Sequence, residues 1–187
     1  MKRLSYWIIV GQSRLKPKLK WEEAGKGRWQ AKITDGYSYL VVFEPPEKGK
    51  VAVWKLNIVS KKKNERTGLV GQSELAMVYS SVAAMAIAEL IEAKESDLIP
   101  YKSASNMIFV GREQRDLNDF SWDIQKNSAY CQEGLEAYQF LRDEGGKKNS
   151  PWDLQIIYPE GYDCDTWELK NIDSLRIGQA IVALMTI

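Results

Sequence analysis

Residues 28–44 read Arg28-Trp-Gln-Ala-Lys-Ile-Thr-Asp-Gly-Tyr-Ser-Tyr-Leu-Val-Val-Phe-Glu44. Trp29, Ala31 and Ile33 alternate with Arg28, Gln30 and Lys32, the period of two that puts apolar and polar side chains on opposite faces of a strand. Asp35-Gly36 then supplies a two-residue turn suited to a tight hairpin. The return strand, 37–44, sets Tyr37, Tyr39, Val41 and Phe43 on one face. Pro45-Pro46 ends it, because proline cannot donate to a ladder.

Working outward, residues 4–10 favour a strand by their β-branched and aromatic content, and 50–60 predict another. The first sixty residues therefore read as an antiparallel meander of four to five strands. Between these strands lies a stretch with a period of its own. Arg14, Lys16, Lys18 and Lys20 alternate with Leu15, Pro17 and Leu19, and Trp21 follows. Extended, the stretch carries four cations on one face, about 6.6 Å apart. Pro17 predicts an edge strand or an extended arm, and Trp21 is the ring most expected at the surface.

Beyond Gly68 and Gly71, Ser73 predicts the cap of a long buried helix over about 73–94, rich in small residues. Its N-terminus, behind glycines and a lysine run, is a weak phosphate candidate, without the Gly-Lys-Ser/Thr of a P-loop. Residues 107–112 read as a strand. Apolar residues near helical spacing then predict one or two helices over 116–143, stopped by Gly145-Gly146. Strands follow at 152–158 and 164–170, and a final amphipathic helix at about 174–186. The expected fold is α+β: an N-terminal antiparallel sheet packed on the 73–94 helix, and a mixed α/β C-terminal half. The chain reads as one domain, 1–187, with a division into 1–100 and 101–187 as the alternative. No internal repeat stands out.

The composition narrows the chemistry. There is no histidine, which excludes histidine-based nucleophile activation and imidazole metal sites, so any catalysis runs on other groups. The two cysteines lack CxxC spacing and predict free thiols and no disulfide framework. No apolar run is long enough for a bilayer, and the expected setting is soluble and cytoplasmic. A net charge of +1 conceals an asymmetry: residues 1–70 carry 16 Lys/Arg against 6 Asp/Glu, and residues 71–187 carry 10 against 19.

Such asymmetry points to a polyanion or to an acidic surface. The leading expectation is non-catalytic binding of single-stranded DNA or RNA through a basic, aromatic sheet face. Arg14, Lys16, Lys18, Lys20, Arg28, Lys32, Lys61, Lys62 and Lys63 would meet phosphates while Trp21 stacks on a base. The first alternative is a protein-interaction module, an inhibitor or assembly subunit, whose basic face meets an acidic partner or a second copy. No cofactor is implied.

A second alternative rests on the C-terminal acidic segment. Asp153, followed by Glu168-Leu169-Lys170 and then a helix, resembles the Asp…Glu-x-Lys pattern of the PD-(D/E)xK nuclease superfamily over about 20 residues. The resemblance implies carboxylates holding Mg²⁺ and a lysine that positions or activates water. Glu168 and Lys170 share a face in a strand. Asp163 and Asp165 are further carboxylates that a metal could draw on. Surface charges on a hairpin are the alternative reading of the same residues.

Overall fold

The computed structural model describes residues 6–33, 36–102, 105–142, 150–158 and 167–187. The chain opens with β1 (Ile8–Val10) and β2 (Ser13–Leu15), then runs through β3 (Trp21–Gly25), β4 (Arg28–Lys32), β5 (Tyr37–Glu44), β6 (Val53–Ser60) and β7 (Gly71–Val78) into α1 (Ser81–Glu92). After β8 (Leu98–Pro100) come β9 (Met107–Val110), β10 (Glu113–Asp116), β11 (Asp123–Ile124), β12 (Ser128–Glu133), β13 (Glu136–Leu141), β14 (Trp152–Ile157), β15 (Trp167–Ile172) and α2 (Leu175–Met185). The fold is α+β, with three five-stranded antiparallel sheets and two α-helices among the described residues. An N-sheet runs β3-β4-β5-β6-β7, a C-sheet runs β11-β12-β13-β14-β15, and a central sheet has the order β10-β9-β1-β2-β8.

The helices pack against each other and, between them, against strands of all three sheets. Ala83, Ala84, Ala86 and Ala88 are fully buried on α1, where short side chains allow close approach. Each helix is capped by a serine: Ser80 Oγ accepts from the Ala83 N–H and Ser174 Oγ from the Ile177 N–H. Against α2, Gly178 leaves room for Phe140, since a Cβ there would lie 2.4 Å from the ring's Cε1.

The two halves repeat one plan, which sequence inspection missed. Each has a short hairpin, a five-stranded meander and a serine-capped helix. Ile8-Ile9-Val10-Gly11 matches Ile108-Phe109-Val110-Gly111, and both glycines take positive φ, +54° and +62°. Ser80, Ala86, Ile87 and Leu90 of the first half match Ser174, Ala180, Ile181 and Leu184 of the second. The halves join where β1 pairs β9: Ile8 faces Val110, Val10 faces Ile108, and Ile9 faces Phe109 at the centre. That register is a local two-fold.

Several expected elements differ. The 73–94 helix is instead β7 followed by α1, and Ser80 rather than Ser73 caps it. Pairing with β6 overrides the helical pattern. Leu56 pairs Ala76 and Asn57 pairs Glu74, so Leu75 is the extra residue of a bulge, and both Leu75 and Ala76 are buried. The weak phosphate candidate at Ser73 disappears with that helix start.

The expected helices over 116–143 are a single 3₁₀ turn, Leu117–Asp119, then β11 and the β12–β13 hairpin, so the C-terminal half is antiparallel up to α2. Gly134, at φ +61°, makes the hairpin turn. The buried residues there, Ala129, Cys131, Tyr138 and Phe140, follow the strand period. The expected β4–β5 hairpin forms, but not with a two-residue turn: Lys32 pairs Ser38 and the Ile33 N–H donates to the Tyr37 carbonyl at 2.9 Å, which leaves three residues between the closing pair, of which Thr34 and Asp35 lie outside the described residues. Gly145, Gly146, Asp163, Cys164 and Asp165 also lie outside them. Among the described residues no helix is long and apolar enough to cross a membrane.

Candidate interaction surface

The alternating stretch keeps its alternation but is not an edge strand. Arg14 ends up in β2, residues 16–20 run extended without strand pairing, and Trp21 opens β3, so the stretch connects the central sheet to the N-sheet. Leu15 and Pro17 are buried, whereas Lys16, Lys18 and Lys20 are exposed. The clamp is Glu89 of α1. Its carboxylate, buried in the core, accepts the backbone N–H of Lys18 at 2.8 Å and of Leu19 at 3.0 Å. Two adjacent N–H groups without ladder partners are thereby satisfied.

Trp21 is a core residue, only 1% exposed, facing Ala31 across the β3–β4 pair. The expectation that it stacks on a ligand is therefore corrected: the alternation that turns Lys20 outward turns Trp21 inward. Tyr37 and Tyr39 also point inward, and both hydroxyls donate to Glu92 Oε1, at 2.7 and 2.6 Å. Burial, then the nearby carboxylate, pushes both phenols well above their ordinary pKa. Arg66, 3.7 Å from Glu92, completes the cluster. It also ties the two outer sheets together: its guanidinium donates to the Asn171 carbonyl, and its own carbonyl accepts the Lys170 N–H at 2.7 Å.

The cations fall into three settings. Lys18 pairs with Asp97 at 2.5 Å. Partial burial tends to raise the Asp97 pKa, but hydrogen bonds from Lys18 and the Lys94 backbone outweigh it and hold the carboxyl below its usual value. Lys55, on the outer face of the N-sheet, is held by Glu74 and Glu44, both at 3.1 Å, and their hydrogen bonds raise its pKa. Glu22 stands opposite Gln30, between Arg28 and Lys32 of the same face, so that face is mixed in charge.

The third setting is one end of the N-sheet. Trp21 faces Ala31, which places Lys20 beside Lys32. Lys32 faces Ser38, Ser38 faces Val59, and Lys61, Lys62 and Lys63 follow directly after. Lys20 and Lys61 are three strand spacings apart, about 14 Å. All five lysines are exposed, and among the described residues none of them, nor Lys16, forms an ion pair. Arg28, facing Val42, lies at the opposite end of β4 and outside this cluster.

Arg14 belongs to a different surface. The inner row of the central sheet, Leu98, Leu15, Ile8 and Val110, is buried. The next row across all five strands, Ile99, Arg14, Ile9, Phe109 and Gln114, faces outward. Trp7 and Tyr101 flank Arg14 on this face, with ring centroids 4.5 and 5.7 Å from its guanidinium carbon. Trp7, Ile99 and Tyr101 are 39, 44 and 41% exposed. This aromatic face was not legible from the row alone, because Trp7 and Tyr101 reach it from distant segments.

Of the C-terminal candidates, Glu168 and Lys170 pair with each other, and Asp153 lies across from them on the neighbouring strand. A bulge sets Asp153 of β14 opposite Lys170-Asn171 of β15, and Asp153 Oδ1 accepts the Asn171 N–H at 2.9 Å. Glu168 faces Gln155, and its carboxylate holds the Lys170 ammonium at 3.1 Å, which raises the lysine pKa. Asp163 and Asp165 lie outside the described residues. Among the described residues no cluster of three or more acidic or thiol side chains is placed to hold a metal ion.

Together these features define an α+β protein of three antiparallel sheets around a helix pair, with a lysine-rich sheet end joined to an aromatic face by a single connector. Comparison with protein-family models, curated proteins and solved structures gives no match for the chain.

Proposed function

We propose that this chain is a non-catalytic protein-interaction module that docks on an acidic partner surface. The observation that carries this reading is the cluster Lys20, Lys32, Lys61, Lys62 and Lys63 at one end of the N-sheet, which forms no ion pair among the described residues. The connector bearing Lys16 links it to an apolar, aromatic face. Apolar anchors with a charged rim are the usual anatomy of a protein interface. The rim cations steer encounter, and the ring-bearing centre supplies affinity.

Binding of single-stranded nucleic acid is the second reading. The lysine cluster and the exposed Trp7 and Tyr101 rings favour it, since cations that track a backbone and rings that stack on bases are its two ingredients. Two features favour the protein reading over it. Trp21, the ring at the end of the row, is buried, and Glu22, Glu44 and Glu74 share the outer N-sheet face with Arg28 and Lys55.

The two readings separate in a competition experiment with the full chain. A labelled oligothymidylate of about 20 nucleotides and poly-L-glutamate are titrated at low salt. The protein reading expects poly-L-glutamate to bind and the oligonucleotide not to displace it at equal charge. Oligonucleotide binding that is much tighter and quenches tryptophan fluorescence supports the second reading. Absence of poly-L-glutamate binding at low salt overturns the first.

A further inference from the structure

We infer that the outer face of the central sheet is the anchor of this docking surface. It takes an extended acidic segment of the partner, with one carboxylate on Arg14 and apolar or aromatic side chains on Ile99, Tyr101 and Trp7. The inference rests on the reading above and names the chemistry of the partner.

Arg14 carries the argument. It stands in the second row of a sheet whose inner row is core, so the strand pairing fixes its backbone. Two rings hold its guanidinium in place, and Arg, Trp and Tyr are the residues most enriched where interface energy concentrates. Among the described residues Arg14 has no carboxylate partner, and its Nε–H is buried without a hydrogen-bond acceptor. The other described half-buried arginines are answered: Arg66 and Arg115, whose Nε–H groups likewise lack an acceptor, stand against Glu92 and against Glu133 and Asp119, and Arg142, over the Trp152 ring, donates to the Lys126 carbonyl at 2.8 Å. A planar donor fork, fixed between rings and lacking an anion, is complementary to a carboxylate.

The surroundings set the rest of the chemistry. Ile9, Ile99 and Phe109 share the row with Arg14, so the face around the charge is apolar. A carboxylate arriving there is desolvated, which strengthens its bond to arginine and favours apolar neighbours in the same segment. The exposed cations Lys16 and Arg112 border the face and favour a segment of net negative charge. They also disfavour self-association through this face, since a two-fold contact would bring like charges together.

The test compares poly-L-glutamate with a glutamate–tyrosine copolymer of similar length, on the native full chain, on Arg14→Gln and on Ile99→Ser. Both substitutions are at solvent-facing positions, and retained thermal unfolding confirms the fold. The inference expects the copolymer to bind at least about tenfold tighter than poly-L-glutamate. Arg14→Gln removes most of that advantage and Ile99→Ser part of it, so that the copolymer loses a larger factor in affinity than poly-L-glutamate, most of whose binding rests on the lysine cluster. If poly-L-glutamate binds but the copolymer gains nothing, or if its gain survives in Arg14→Gln, the inference is overturned and the broader reading stands. If neither polymer binds, the broader reading falls with it.

Discussion

Glu89 of α1 accepts the backbone N–H of Lys18 at 2.8 Å across a separation of 71 residues. One buried carboxylate thereby decides which way the side chains of a charged connector point. Its removal leaves the Lys18 and Leu19 N–H groups without their acceptor. Glu89→Ala should lower the unfolding free energy by about 2–4 kcal/mol, and Glu89→Gln, which keeps one acceptor oxygen, by less. Denaturant titration measures both. A loss below about 0.5 kcal/mol for the alanine variant would contradict the clamp.

Trp21 distinguishes a core role from a binding role. Trp21→Ala should cost about 3–5 kcal/mol through cavity formation. Trp21→Phe should cost less and leave poly-L-glutamate affinity unchanged. A phenylalanine variant that folds normally but loses binding would restore Trp21 to the site.

The phenols of Tyr37 and Tyr39 make stability sensitive to alkali. Both have pKa values raised in the fold, by burial first and by Glu92 second. A group raised above its unfolded value contributes stability that is present below that value and lost as pH rises. The unfolded value is about 10, so the unfolding free energy should fall above roughly pH 10. Replacing both tyrosines by phenylalanine should flatten that decline. Denaturant titrations at a series of alkaline pH values, with absorbance following phenolate formation, check this. An unchanged slope in the double variant would show that other groups govern alkaline loss.

The approach of α2 to the C-sheet gives a packing test. A Cβ at Gly178 would overlap Phe140, so Gly178→Ala should destabilise by about 1–3 kcal/mol. Phe140→Leu should recover part of that loss in a double-mutant cycle, because the two positions share one volume. Additive losses would mean that the ring is not the obstacle.

The strand period made β4 and β5 legible almost to the residue, because one of their faces is core. It also gave the outward direction of Lys16, Lys18 and Lys20. The same period holds in β12 and β13, but the spacing of Cys131, Leu135, Tyr138 and Leu141 imitates a helix. Leu135 and Leu141 prove exposed, while Ala129 and Phe140 are buried. The β7–α1 boundary was hidden because a bulged strand and a buried helix are both apolar. The repeat escaped notice because its matching residues sit in short strands and helix faces, separated by loops of unequal length. Of the candidate surface, the lysines were legible one by one. Their gathering at one sheet end depends on the β3–β6 register, and the rings around Arg14 come from segments nearly a hundred residues apart.

The most direct measurement of the central claim is the salt dependence of poly-L-glutamate binding by the native chain and by a Lys20→Gln, Lys32→Gln double variant. Each cation that meets the polyanion releases counterions, so the slope of log affinity against log salt should be steep for the native chain. It should become shallower by roughly one to two in the variant. An identical slope, with unchanged affinity, would contradict the assignment of this sheet end as the surface that meets the partner.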